Sequence, residues 1–71
     1  MRYENGAIFR LSMKNPNILE ENRGLTALVI RCVEPDEMMH YLPKWECLLL
    51  ERGIKMLLYD FQLKDAEVLC R

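Results

Sequence analysis

Asp36, Glu37 and His40 are the one group in this sequence with the spacing of metal ligands. On a helix, residues i, i+3 and i+4 share a face, and Glu-x-x-His pairs supply iron ligands in carboxylate helix bundles. Such centres take two of these motifs and further glutamates from other helices. This chain has a single histidine. Helix-end electrostatics explains Asp36 and Glu37 better, so the sequence predicts no metal and no cofactor.

A thiol nucleophile is the second chemistry to weigh. Cys47 follows Trp45 and Glu46, and His40 precedes it by seven positions. On a helix that separation is roughly 10 Å along the axis, too far for imidazole and thiol to share a hydrogen bond. A reactive thiol needs an adjacent base or an electropositive setting. Cys32 lies in an apolar run and reads as a small core residue, and Cys70 sits beside the terminus. The paired carboxylates, Glu20-Glu21 and Asp36-Glu37, are sequence neighbours, and neighbours do not face each other on a helix. The three glycines, Gly6, Gly24 and Gly53, are isolated, so no phosphate-cradling loop is present. These readings predict no catalytic residue.

Nucleic-acid contact would fall to Arg2, Arg10, Lys14 and Arg23, with Arg10, Ser12 and Lys14 on one side of an alternating segment. A basic strand face can track phosphates. No aromatic residues interleave these cations to stack bases, and ten basic residues against eleven acidic ones leave a net charge of −1.

The elements that must position these residues follow from hydropathy. In Ala7–Lys14, Ala7, Phe9, Leu11 and Met13 fall on one side and Ile8, Arg10, Ser12 and Lys14 on the other, the pattern of a half-solvated strand. Asn5-Gly6 is a turn dipeptide. Residues 15–24 (NPNILEENRG) punctuate the chain, with Asn17 and Gly24 placed to cap one or two helical turns. That connection is too short for a parallel crossover, so the first two strands are predicted to be antiparallel neighbours. Leu25–Val33 is apolar on both sides, as a central covered strand is.

Pro35–Arg52 carries a helical pattern. Pro35 suits a first turn, and Met38, Tyr41, Leu42, Trp45, Leu48 and Leu49 fall within a third of the circumference at about 100° per residue. Pro43 kinks or splits this helix, and Gly53 ends it. Met39 and Leu50, with Glu46 and Cys47 beside them, form a smaller ridge that reads as an interaction surface. Ile54–Phe61 is a further strand. The tail, Leu63–Arg71, is open between a short edge strand after Lys64-Asp65 and a terminal helix.

The sequence therefore predicts a single α+β domain over residues 1–71: a small antiparallel or mixed sheet of three to four strands with one principal helix on one face, in the order β-β-α-β plus a terminal element. A mostly helical fold after Pro35 is the alternative. A chain of 71 residues buries only about 60% of its unfolded surface and commonly needs outside support. An odd cysteine count argues against a disulfide scaffold. The start of the chain shows no apolar signal core, and no apolar run reaches the ~20 residues that span a bilayer. These features predict a cytoplasmic, non-membrane protein supported by a second copy or another protein. The expected function is a small non-catalytic protein–protein interaction module, a regulator, adaptor or inhibitor that forms a homodimer. The alternatives are a nucleic-acid-binding regulator and a small-ligand or enzymatic domain with its site at a dimer interface.

Overall fold

Five strands form one antiparallel sheet in a computed structural model, which describes residues 4–33 and 44–70. They are β1 (Ile8–Arg10), β2 (Thr26–Val33), β3 (Lys44–Leu49), β4 (Ile54–Tyr59) and β5 (Glu67–Cys70). The spatial order is β4-β3-β2-β1-β5. Consecutive strands from β1 to β4 are neighbours, and β5 returns to the far side of β1. Two short 3-10 turns, Glu20–Asn22 and Asp60–Gln62, complete the described elements.

No α-helix occurs among the described residues, which overturns both the α+β expectation and the mostly helical alternative. The error lies in Lys44–Leu49. Trp45, Leu48 and Leu49 fit a helical stripe, but Trp45, Cys47 and Leu49 alternate, and these are the residues buried in β3. The leucine run 48–50 satisfies either template, so periodicity could not separate them. What the sequence suggests as a helix ending is a hairpin turn. The N–H groups of Arg52 and Gly53 donate to the Leu49 carbonyl at 3.2 and 2.7 Å, and Gly53 takes φ +64, a conformation glycine adopts without steric cost. Pro35, Met38, Tyr41, Leu42 and Pro43 lie outside the described residues.

Of the other strand readings, the alternating segment Ala7–Lys14 shortens to β1, Ile8–Arg10, with Phe9 and Leu11 buried but Met13 exposed beyond the strand; the rest match the fold. The apolar run at 25–33 is β2, between β1 and β3, and β1 pairs antiparallel with β2. Ile54–Phe61 contains β4, with Phe61 passing into the second 3-10 turn. In the tail, a turn at Lys64-Asp65 leads to an outer strand, β5.

Register sets the core. Paired residues share a face, so Phe9, Ala27, Leu49 and Ile54 make one inner row, Val29, Cys47 and Met56 a second, and Cys32, Trp45 and Leu58 a third. A bulge between Val29 and Arg31 separates the second row from the third on β2. Ala7 just before β1, Leu11 and Ile18 from the β1–β2 connection and Leu63 from the β4–β5 connection complete the buried cluster. Each fully buried large side chain contributes about 1.5–3 kcal/mol.

The β1–β2 connection is tied down at both ends. Buried Asn15 donates through Nδ2 to the carbonyls of Phe61, Gln62 and Lys64 at 2.9, 3.3 and 3.4 Å, and its Oδ1 accepts from Asn17 N–H at 2.9 Å. Arg52 donates to Asn22 Oδ1 at 2.6 Å, joining the first 3-10 turn to the β3–β4 hairpin. Gly24 takes φ +79, which a residue with a side chain adopts only under strain, and a Cβ there would sit 2.5 Å from Met13 Sδ and displace that side chain.

Candidate functional site at the open edge of the sheet

The outermost strands among the described residues are β4 and β5. Eight large apolar side chains are exposed among the described residues, and six of them lie on these two strands or beside them. Leu50, Ile54, Leu57 and Phe61 run along β4 and its ends, and Val68 and Leu69 belong to β5. Met13 and Leu19 are in the β1–β2 connection. Phe61 stacks on Tyr59, with ring centroids 5.5 Å apart and planes 3° from parallel, so the end of β4 carries an aromatic step.

The backbone of β4 shows which groups face outward. Leu50 N–H donates to the Thr26 carbonyl at 2.9 Å, so even-numbered residues of β3 direct their backbone at β2 and odd-numbered ones at β4. With Leu49 opposite Ile54, Cys47 opposite Met56 and Trp45 opposite Leu58, the peptide groups of Ile54, Met56 and Leu58 serve the β3 ladder. Those of Lys55, Leu57 and Tyr59 point away from the sheet. Tyr59 is closed locally: its N–H donates to Gln62 Oε1 at 2.9 Å and its carbonyl accepts from Leu63 N–H at 3.2 Å. Among the described residues the open stretch of β4 is therefore Lys55–Leu57, with two donors and two acceptors. Such an edge is a template for another strand.

The residues singled out from sequence are not brought together. Met39 lies outside the described residues. Leu50 is exposed in the β3–β4 turn. Glu46 lies on the outer face, where its carboxylate meets Arg31 at 3.4 Å. Cys47 is on the inner face with no exposed surface. Burial pushes its thiol up to about 12, and the Glu46 carboxylate adds to the shift, so the sulfur is a protonated thiol at neutral pH.

Of the basic residues, Arg2 lies outside the described residues. Arg10 pairs with Glu67 at 3.5 Å, and Arg23 Nε donates to the Ile18 carbonyl at 3.1 Å. Lys14 is exposed. Glu51 accepts from the Thr26 hydroxyl and N–H, both at 2.7 Å. These hydrogen bonds, the hydroxyl's first, hold its carboxyl below the usual range and tie the hairpin turn to β2.

Asp36, Glu37 and His40 lie outside the described residues. Among the described residues no three His, Cys, Asp or Glu side chains gather as a metal site, and no helix is long and apolar enough to cross a membrane. Sequence reasoning missed the β4 edge because an edge is defined by strand order. The available signal was local: Ile54–Tyr59 is apolar on both alternations with Lys55 as its one charge, and Gln62 follows three residues after Tyr59. Comparison with protein-family models, curated proteins and solved structures finds no match to this chain.

Proposed function

We propose that the chain is a small, non-catalytic protein–protein interaction module that engages its partner by strand addition at the β4 edge. The observation that carries this reading is the coincidence of the Lys55 and Leu57 peptide groups, which have no partner among the described residues, with the exposed apolar side chains Leu50, Ile54, Leu57 and Phe61. In strand addition, main-chain hydrogen bonds give affinity, and alternate side chains give specificity. The neutral, buried Cys47 thiol fits a core role better than a nucleophile.

Leu57→Pro tests this reading. The Leu57 N–H points away from β3, so proline there removes an outward donor without breaking the internal ladder. The variant is expected to keep the cooperative melting of the parent and to bind strand-forming peptides, selected against the parent from a display library, about tenfold or more weakly. Tenfold corresponds to one lost hydrogen bond of about 1.4 kcal/mol. Leu58→Pro, whose N–H serves the β3 ladder, is expected to unfold the protein. Unchanged peptide affinity in a folded Leu57→Pro protein would contradict the reading.

A further inference from the structure

We infer that the strand added to β4 is β4 of a second copy of this chain, antiparallel, with a two-fold axis passing beside Met56. The inference rests on the edge-addition reading above and names its partner. The open stretch of β4 has two outward-facing residues, Lys55 and Leu57, placed symmetrically about Met56, and it is closed beyond Leu57 by Gln62 and Leu63 acting on Tyr59. A two-fold at Met56 sets Lys55 opposite the second copy's Leu57, and Leu57 opposite its Lys55. Each such pair exchanges two N–H···O bonds, so every outward peptide group of Lys55 and Leu57 on both copies is satisfied. A two-fold at Leu57 would set Lys55 against the second copy's Tyr59, whose N–H and carbonyl are already engaged.

Side chains and charge agree with the Met56 register. On the inner face the register sets exposed Ile54 opposite the second copy's Leu58, whose side chain is already buried in its own core, and sets the half-buried Met56 opposite its counterpart. On the outer face Glu46 is the neighbour of Leu57, so the row across the junction reads Arg31, Glu46, Leu57, then the second copy's Lys55. Two strand spacings, about 10 Å, separate Glu46 from that lysine, whose long stem can lie over Leu57 and bring its ammonium towards the carboxylate. Within its own sheet Lys55 faces Leu48, and among the described residues no acid lies within ion-pair distance of it. The other edge is a poorer match. β5 has four residues, and its ladder with β1 is interrupted by a register shift between Ile8 and Phe9; such irregularities blunt an edge. A β4-to-β4 contact also closes as a symmetric dimer, whereas β4 to β5 would propagate.

Sedimentation velocity over a concentration series, on proteins whose folding is checked by thermal melting, tests the register. The parent is expected to dimerise. Leu57→Lys places an ammonium opposite the second copy's Lys55 while remaining beside Glu46 in its own sheet. It is expected to fold and to associate at least tenfold more weakly. Adding Lys55→Glu in the same chain converts both junction pairs to opposite charges and is expected to restore the dimer. A monomeric parent, a Leu57→Lys protein that dimerises like the parent, or a folded double variant that stays monomeric would overturn the inference. If the parent is monomeric but selected strand peptides still bind and lose affinity on Leu57→Pro, only the second copy falls. If they bind without regard to Leu57→Pro, the edge reading falls too.

Discussion

Trp45→Ala is expected to unfold the protein. Trp45 is the largest fully buried side chain, with 1% of its surface exposed, and it sits in the inner row between Cys32 and Leu58. Truncating a buried tryptophan costs about 3–5 kcal/mol in transfer and cavity terms. At the usual 0.05–0.15 kcal/mol per residue, a chain of this length is stable by roughly 4–11 kcal/mol in all. The row has little means of closing the gap, because β3 is held by ladders on both sides. Circular dichroism of the variant should show no cooperative melting transition, or one lowered by tens of degrees. A melting curve within a few degrees of the parent's would place Trp45 outside the core.

The second large effect is expected at Asn15. Its amide nitrogen donates to three carbonyls of the β4–β5 connection. These bonds hold the segment that carries Leu63 into the core and closes the end of β4. Asn15→Asp keeps the shape and the Oδ1 acceptor for Asn17 but sets an anionic oxygen against those carbonyls. Loss of the donor with burial of an unpaired charge is expected to cost about 3 kcal/mol at neutral pH. The sign of its pH dependence follows from linkage. The new carboxyl is disfavoured as an anion, so its folded-state pKa lies above the unfolded value of about 3.9. The charge penalty should therefore shrink as pH falls through the folded value and vanish below the unfolded one. Denaturant unfolding of parent and variant between neutral and acid pH measures this as a narrowing gap. A constant gap, or one that widens in acid, would contradict the placement of Asn15.

The parts of the fold legible in the sequence are those fixed by local pattern. The two-sided apolar run at 25–33 marks the centre of the sheet. Asn5-Gly6 marks a turn, and the short 15–24 connection implies antiparallel β1 and β2. The β3 strand was not legible, because Trp45, Leu48 and Leu49 satisfy a helical stripe while Trp45, Cys47 and Leu49 satisfy a strand. Only pairing with β2 and β4 separates the two, and pairing is a property of distant segments. The same holds for the candidate site. Leu50 is singled out in the sequence as part of a helical ridge with Met39, whereas it lies in the β3–β4 turn; the open backbone of Lys55 and Leu57 follows from β4 being outermost among the described residues. Its boundary is set by Gln62 reaching back to Tyr59.

Amide hydrogen exchange along β4, followed by NMR at low and high protein concentration, tests the edge most directly. At low concentration the amides of Met56 and Leu58, bonded to β3, should exchange slowly, and those of Lys55 and Leu57 should exchange at rates close to those of unprotected amides. At high concentration Lys55 and Leu57 should become protected together, with Met56 and Leu58 unchanged. Protection of Lys55 and Leu57 at the lowest concentration would mean that the edge is already covered within one chain. Fast exchange of both at every concentration would mean that no second β4 pairs with it.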